Sequence, residues 1–147
     1  MKKILVALDG SPRESGVLDA AIALARKSGA HLLLFRSVGI PVELPADAYS
    51  MALDEVPKLL ERQATAALKV LEGKVPENLR GGVRVMIGTP WRSIEEAAGK
   101  ENVDLIVVGA HGHQGLDKLL GTTAAKVVNH ADRAVLVVRA HERLTRE

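Results

Sequence analysis

The sequence predicts a single doubly wound α/β domain, a parallel sheet covered by helices on both faces. Three observations carry this reading. Five short apolar runs recur along the chain: "KILVALD" (3–9), "HLLLFRSV" (31–38), "VRVMIG" (83–88), "DLIVVG" (104–109) and "AVLVVR" (134–139). A segment of helical periodicity lies between each consecutive pair. The length, 147 residues, suits one domain with a core of its own, so residues 1–147 are read as one unit.

The first, fourth and fifth runs are almost continuously apolar, as expected of strands buried on both faces. The third half alternates, which predicts a more exposed edge. The first helix is expected from Ser11 to Lys27, with Val17, Leu18, Ala21, Ile22, Leu24 and Ala25 on its inner face. Ser11 is read as its N-cap, Pro12 as its first residue and Gly29 as its stop. A second stripe runs from Pro57 to Gly73. A short third helix follows Thr89 as cap and Pro90, and a fourth spans 122–131. Residues 39–55 carry weak periodicity and scattered prolines, and are read as a loop or irregular helix over one end of the sheet.

Composition excludes several classes. Hydrophobic residues make up 47% of the chain, which rules out a disordered polymer. No uncharged apolar run approaches the ~18 residues a membrane span needs, and the start reads as a strand rather than a secretion signal. With no cysteine, disulfides, thiolate metal sites and thiol nucleophiles are excluded. A cytoplasmic protein is the expectation. The pI is about 9.0, but the net charge is only +2 and aromatics are 2%, with no basic face or stacking platform for nucleic acid.

The segment "GAHGHQGLDKLLGTT" (109–123) leaves the carboxyl end of the fourth strand, where open parallel sheets bind ligands. Its glycines permit close backbone approach, and Thr122 and Thr123 open a helix whose free amides favour an anion. From the residues alone, a phosphate cradle and a capped connection stand equally. No G-x-x-x-x-G-K-[ST] occurs, which excludes a P-loop, and "DGSPRESG" lacks the dinucleotide fingerprint. Asp9 before Gly-Ser is a ligand candidate and also turn chemistry. His111 and His113 form an H-x-H pair that reads as solvated rather than as a zinc site. Trp91 could shield a ligand or simply pack, and His130 and His141 read as surface residues.

Together "KILVALDGSPRESGVLDAAIALA", "GTPWRSIEEAA" and "DLIVVGAHGHQGLDKLLGTTAAKVVNHADRAVLVVR" resemble the universal stress protein family. The resemblance implies a five-stranded parallel sheet of order 3-2-1-4-5 and a homodimer, with the edge strand 134–139 pairing across the two-fold axis. One branch of that family binds ATP through G-x-x-G, nine residues, then G-[ST]. Gly109, Gly112 and Gly121-Thr122 match, but eight residues intervene, the spacing of a branch in which members without nucleotide binding are known.

Carried over, the resemblance places Ala7, Leu8, Ser37 and Val108 around adenine and Asp9 at the ribose or at Mg²⁺-bound phosphates. Gly109, Gly112, Gly121, Thr122 and Thr123 would hold the phosphates, with His111 close by. Ser37 stands where an apolar residue is usual. The functional expectation is an ATP-binding sensor or switch that acts on a protein partner yet to be identified. No catalytic constellation is legible, so at most slow hydrolysis or self-phosphorylation on Thr122 or Thr123 is expected. The competing expectation is a nucleotide-free homodimeric interaction module.

Overall fold

The computed structural model describes residues 1–39, 55–110 and 120–140. Residues 40–54 of the loop expected over 39–55, the histidines 111 and 113, and the tail from 141 lie outside the described residues. Five parallel strands, β1 (Lys3–Ala7), β2 (His31–Val38), β3 (Arg80–Ile87), β4 (Leu105–Gly109) and β5 (Ala134–Val138), form one sheet of order β3-β2-β1-β4-β5. Four helices connect them: α1 (Glu14–Ser28), α2 (Val56–Glu72), α3 (Pro90–Lys100) and α4 (Thr122–His130), with a 3-10 turn at Glu77–Leu79 before β3.

Two cores flank the sheet, and the two-residue period of the strands assigns side chains to them. Ile4, Val6, Leu32, Leu34, Leu105 and Val107 pack beneath α1 and α2, against Val17, Leu18, Ala21, Ala25 and Leu68. Leu5, Leu33, Phe35, Ile106 and Val108 pack beneath α3 and α4, against Ile94, Ala97, Ala98, Ala124 and Val127. The central strands therefore read as unbroken apolar runs because each face needs every second residue.

Several boundaries differ from expectation. β1 ends at Ala7 rather than Asp9, although Leu8 still donates its N–H to the Phe35 carbonyl at 2.8 Å. Helix α1 begins at Glu14, not beside Ser11. The Ser11 hydroxyl accepts the Arg13 N–H at 3.3 Å, within a turn that precedes the helix. Gly29 does end α1, and its N–H reaches the Ala25 carbonyl. Strand β3 starts three residues early, at Arg80, because a register shift between Leu32 and Leu34 absorbs the Gly81-Gly82 pair. Thr89 occupies the cap position of α3 without a side-chain cap bond. The unbroken apolarity of β5 does not reflect burial on both faces. It is an edge strand with Leu136 38% exposed.

The amino ends of β1 and β4 are pinned by two carboxylates. Asp104 Oδ2 accepts the backbone N–H groups of Lys2 and Lys3 at 2.7 and 3.0 Å. Glu101 joins Lys3 of β1 to Arg84 of β3, at 2.6 Å each. The Lys3 hydrogen bond leads in holding the Glu101 carboxyl below its ordinary value of 4.5, against partial desolvation and with further help from the charges of Lys3 and Arg84. The folded chain thus binds that proton less tightly than the unfolded chain. Its contribution is complete above about pH 4.5 and is lost as pH falls through the lower, folded value. Glu101→Gln is expected to cost about 1 kcal/mol at neutral pH. It should also flatten the loss of stability below about pH 4.5, read by denaturant melts at pH 7 and pH 4. Parallel pH profiles for the two proteins would rule this out.

Candidate functional site

Beyond the carboxyl ends of the strands the chain leaves a crevice of about 330 Å³. It lies where the winding direction reverses, since β1 connects through α1 to β2 on one side while β4 lies on the other. Ala7, Leu8 and Asp9 come from the end of β1, Phe35 and Ser37 from β2, and Val108 and Gly109 from β4. Gly121, Thr122 and Thr123 come from the start of α4. All of these except Phe35 were expected, and they line one cavity, whereas His111 and Gly112 fall outside the described residues.

The walls have distinct chemistry. Phe35, Ile94 and Val108 are buried and apolar. Asp9, Ser11, Arg13 and Glu14 supply the polar part of the lining. Asp9 Oδ1 accepts the Ser11 N–H at 2.9 Å, so turn chemistry and a place on the crevice wall coexist in one carboxylate. Gly10, at φ +79°, makes the reversal that carries the chain from Asp9 toward α1. The Ser37 hydroxyl donates to the Gly88 carbonyl at 2.9 Å. Its proton is therefore committed to the backbone, which lessens the polarity expected to disfavour an aromatic ring at this position.

The eight-residue spacing between Gly112 and Gly121 does not pull the loop ends apart. The Gly121 N–H donates to the Ala110 carbonyl at 2.7 Å, and the Ala110 N–H donates to Val138 at 2.8 Å. Gly109 and Gly121 consequently line the same crevice. Gly121 is the N-cap of α4, and among the described residues no side chain caps this helix. The first-turn amides of Thr122, Thr123 and Ala124 have no intrahelical acceptor, and all three residues border the cavity.

Among the described residues no cluster of three His, Cys, Asp or Glu side chains could hold a metal. Of the two carboxylates on the described wall, Glu14 is paired with Arg36 and Asp9 is left facing the crevice. That suits Mg²⁺, which takes one or two protein carboxylates and completes its shell with phosphate oxygens and water. Trp91 is not on the crevice wall. Its ring stacks on His130, with centroids 4.6 Å apart, and lies near Arg92 and Lys126, while Pro90 borders the cavity instead.

Sequence reasoning missed Ser11, Arg13, Glu14, Val17, Phe35, Pro90, Ile94, Ala124, Val138 and Ala140 on the wall, Ser11 having been read only as a helix cap. It also missed Arg36 behind that wall. A charged residue interrupting "LLLFRSV" was the signal for Arg36. Nothing local marks Val138 and Ala140, which reach the crevice only because β5 lies beside β4.

Residues 1–139 match the sequence profile described as "Universal stress protein family". Universal stress protein A homolog 1 of Coxiella burnetii is 35% identical over 93% of this chain and 95% of its own length. Universal stress protein UspA from Lactobacillus plantarum superposes with a TM-score of 0.76 at 25% identity, over 94% of this chain and 97% of that one. A universal stress protein solved in complex with cAMP superposes with a TM-score of 0.62 at 25% identity, over 95% of this chain and 98% of the other.

Proposed function

We propose that this chain, which belongs to the universal stress protein family, binds an adenine nucleotide in the crevice at the ends of β1, β2 and β4, with ATP and Mg²⁺ as its ligands. The observation that carries the reading is the Gly121–Ala110 hydrogen bond. It brings the start of α4 and the end of β4 to the same cavity despite the short loop. The relative solved with cAMP adds support, since it holds an adenine nucleotide on the same fold.

In this reading adenine lies among Ala7, Leu8, Ser37 and Val108. Asp9 takes the ribose hydroxyls or the phosphate-bound Mg²⁺. Gly109, Gly121, Thr122 and Thr123 present backbone and hydroxyl groups to the phosphates. Mg²⁺ would offset phosphate charge there. The ligand would act by population shift, ordering one arrangement of the crevice rim and the surface it shows to a protein partner in the cytoplasm.

Assembly follows from the sheet edges. β3 is guarded by Arg80, Arg84 and the irregular register at Gly81-Gly82. β5, "AVLVV", carries no charge. An unprotected apolar edge is a liability that a second copy removes by pairing across a two-fold axis, so the homodimer is proposed through 134–139.

Titration calorimetry of the purified chain with ATP, with and without Mg²⁺, tests the ligand. Binding near one nucleotide per chain is expected, and Asp9→Ala should weaken ATP at least about tenfold, the loss of a charged hydrogen-bonding group. No heat at millimolar ATP would overturn the reading in favour of a nucleotide-free interaction module.

A further inference from the structure

Behind the polar wall of the crevice lies a network to which the nucleotide reading assigns no role. Arg36 interrupts the apolar run of β2, and its guanidinium reaches across to the β1–α1 turn. Nε donates to the Leu8 carbonyl at 2.9 Å, and Nη2 donates to Glu14 Oε1. The same Glu14 oxygen accepts the Gly10 N–H at 3.0 Å. Arg36 therefore holds the residue before Asp9 directly, and the residue after it through Glu14. Both side chains are largely withdrawn from solvent, at 15% and 17% exposure, so salt and water screen the pair weakly.

Glu14 borders the cavity beside Asp9. Two carboxylates on one wall would repel any phosphate approaching α4. Arg36 cancels one of these charges from behind without occupying the cavity.

We infer that Arg36 is a positioning and specificity-determining residue of this crevice, fixing the Asp9 turn and neutralising Glu14 so that the site accepts an anionic nucleotide. This rests on the nucleotide reading above. The electrostatic part makes a claim that simple bracing does not. The penalty for losing Arg36 should grow with the charge of the ligand.

The test compares adenosine, AMP and ATP binding to the full chain at fixed Mg²⁺, for wild type, Arg36→Met, Glu14→Gln and the double variant. Arg36→Met keeps the long aliphatic stem and removes the charge. It is expected to lower the ratio of ATP to adenosine affinity by about tenfold, with AMP between them. The double variant should recover most of that ratio, because the unneutralised carboxylate is gone. Glu14→Gln alone should raise the ratio above wild type.

Equal weakening of all three ligands, with no recovery in the double variant, would reduce Arg36 to a structural brace and overturn the inference. Should Arg36→Met fail to fold, Glu14→Gln decides, since an unchanged or lower ratio overturns it as well. A wild-type chain that binds none of the three ligands would sink the nucleotide reading instead. The brace is then judged by hydrogen exchange. Faster exchange of the Gly10 amide in Arg36→Met, with Ala21 in mid-α1 unchanged, supports it, and unchanged Gly10 protection refutes it.

Discussion

Phe35→Ala is expected to destabilise the fold by about 3 kcal/mol, near the lower end of the range for emptying a buried aromatic site. The ring is 0% exposed and sits with Leu33, Ile94, Ala97 and Ile106 between the sheet and α3. Removing it deletes apolar burial and leaves a void that the backbone cannot close, because β2 is held by β1 and β3 on either side. The cost stays near the lower end because Phe35 also borders the crevice. Water or neighbouring side chains can therefore enter part of the vacated space. In a domain of this size the loss corresponds to a fall in Tm of about 6–12 °C. Val70→Ala is the contrasting variant. That side chain is 75% exposed on α2, and its loss should change stability by less than about 0.5 kcal/mol. Urea melts of both variants measure the difference. Equal costs would mean that Phe35 does not fill the core between the sheet and α3.

In the homodimer proposed through 134–139, Leu136→Arg is expected to convert the two-chain particle into single chains. Leu136 is 38% exposed at the centre of β5, and Val128 on the neighbouring α4 is 46% exposed. In the monomer an arginine at position 136 reaches water at little cost, so circular dichroism and melting temperature should stay close to wild type. A two-fold interface carries the substitution twice. At about 1.4 kcal/mol per copy, association weakens about a hundredfold. Sedimentation equilibrium of both proteins reads the outcome. A wild-type chain that sediments as a monomer at every concentration would dispose of the dimer, and an unaffected dimer in Leu136→Arg would move the interface away from β5.

Much of the fold was legible because parallel sheets leave a strong local record. A strand covered on both faces must be apolar at every covered position, and "ILVA", "LLLF" and "LIVV" all are. The same rule misled at β5, where apolarity at an edge reads identically to apolarity in a core. Helix starts were less legible. Ser11-Pro12 is a fair N-cap signal, yet the positive φ at Gly10 and the hydrogen bonds to Asp9 and Ser11 spend those residues on a turn, and α1 starts at Glu14. The glycines of 109–123 indicated a backbone made for close approach. Whether eight intervening residues let Gly121 return to the end of β4 was not contained in them.

By itself, then, the sequence determined the class of sheet, the helices that cover it and the candidate residues at strand ends, because burial and periodicity act between near neighbours in the chain. The family resemblance supplied the strand order, which the structure bears out, and the tertiary structure decided which side chains meet across it. Strand order places β1 between β2 and β4, which lets Arg36 reach the β1–α1 turn and brings Val138 and Ala140 to a cavity that opens on Asp9. Such contacts join residues distant in sequence, and lateral pairing of strands creates them. No local pattern records which strand will be the neighbour.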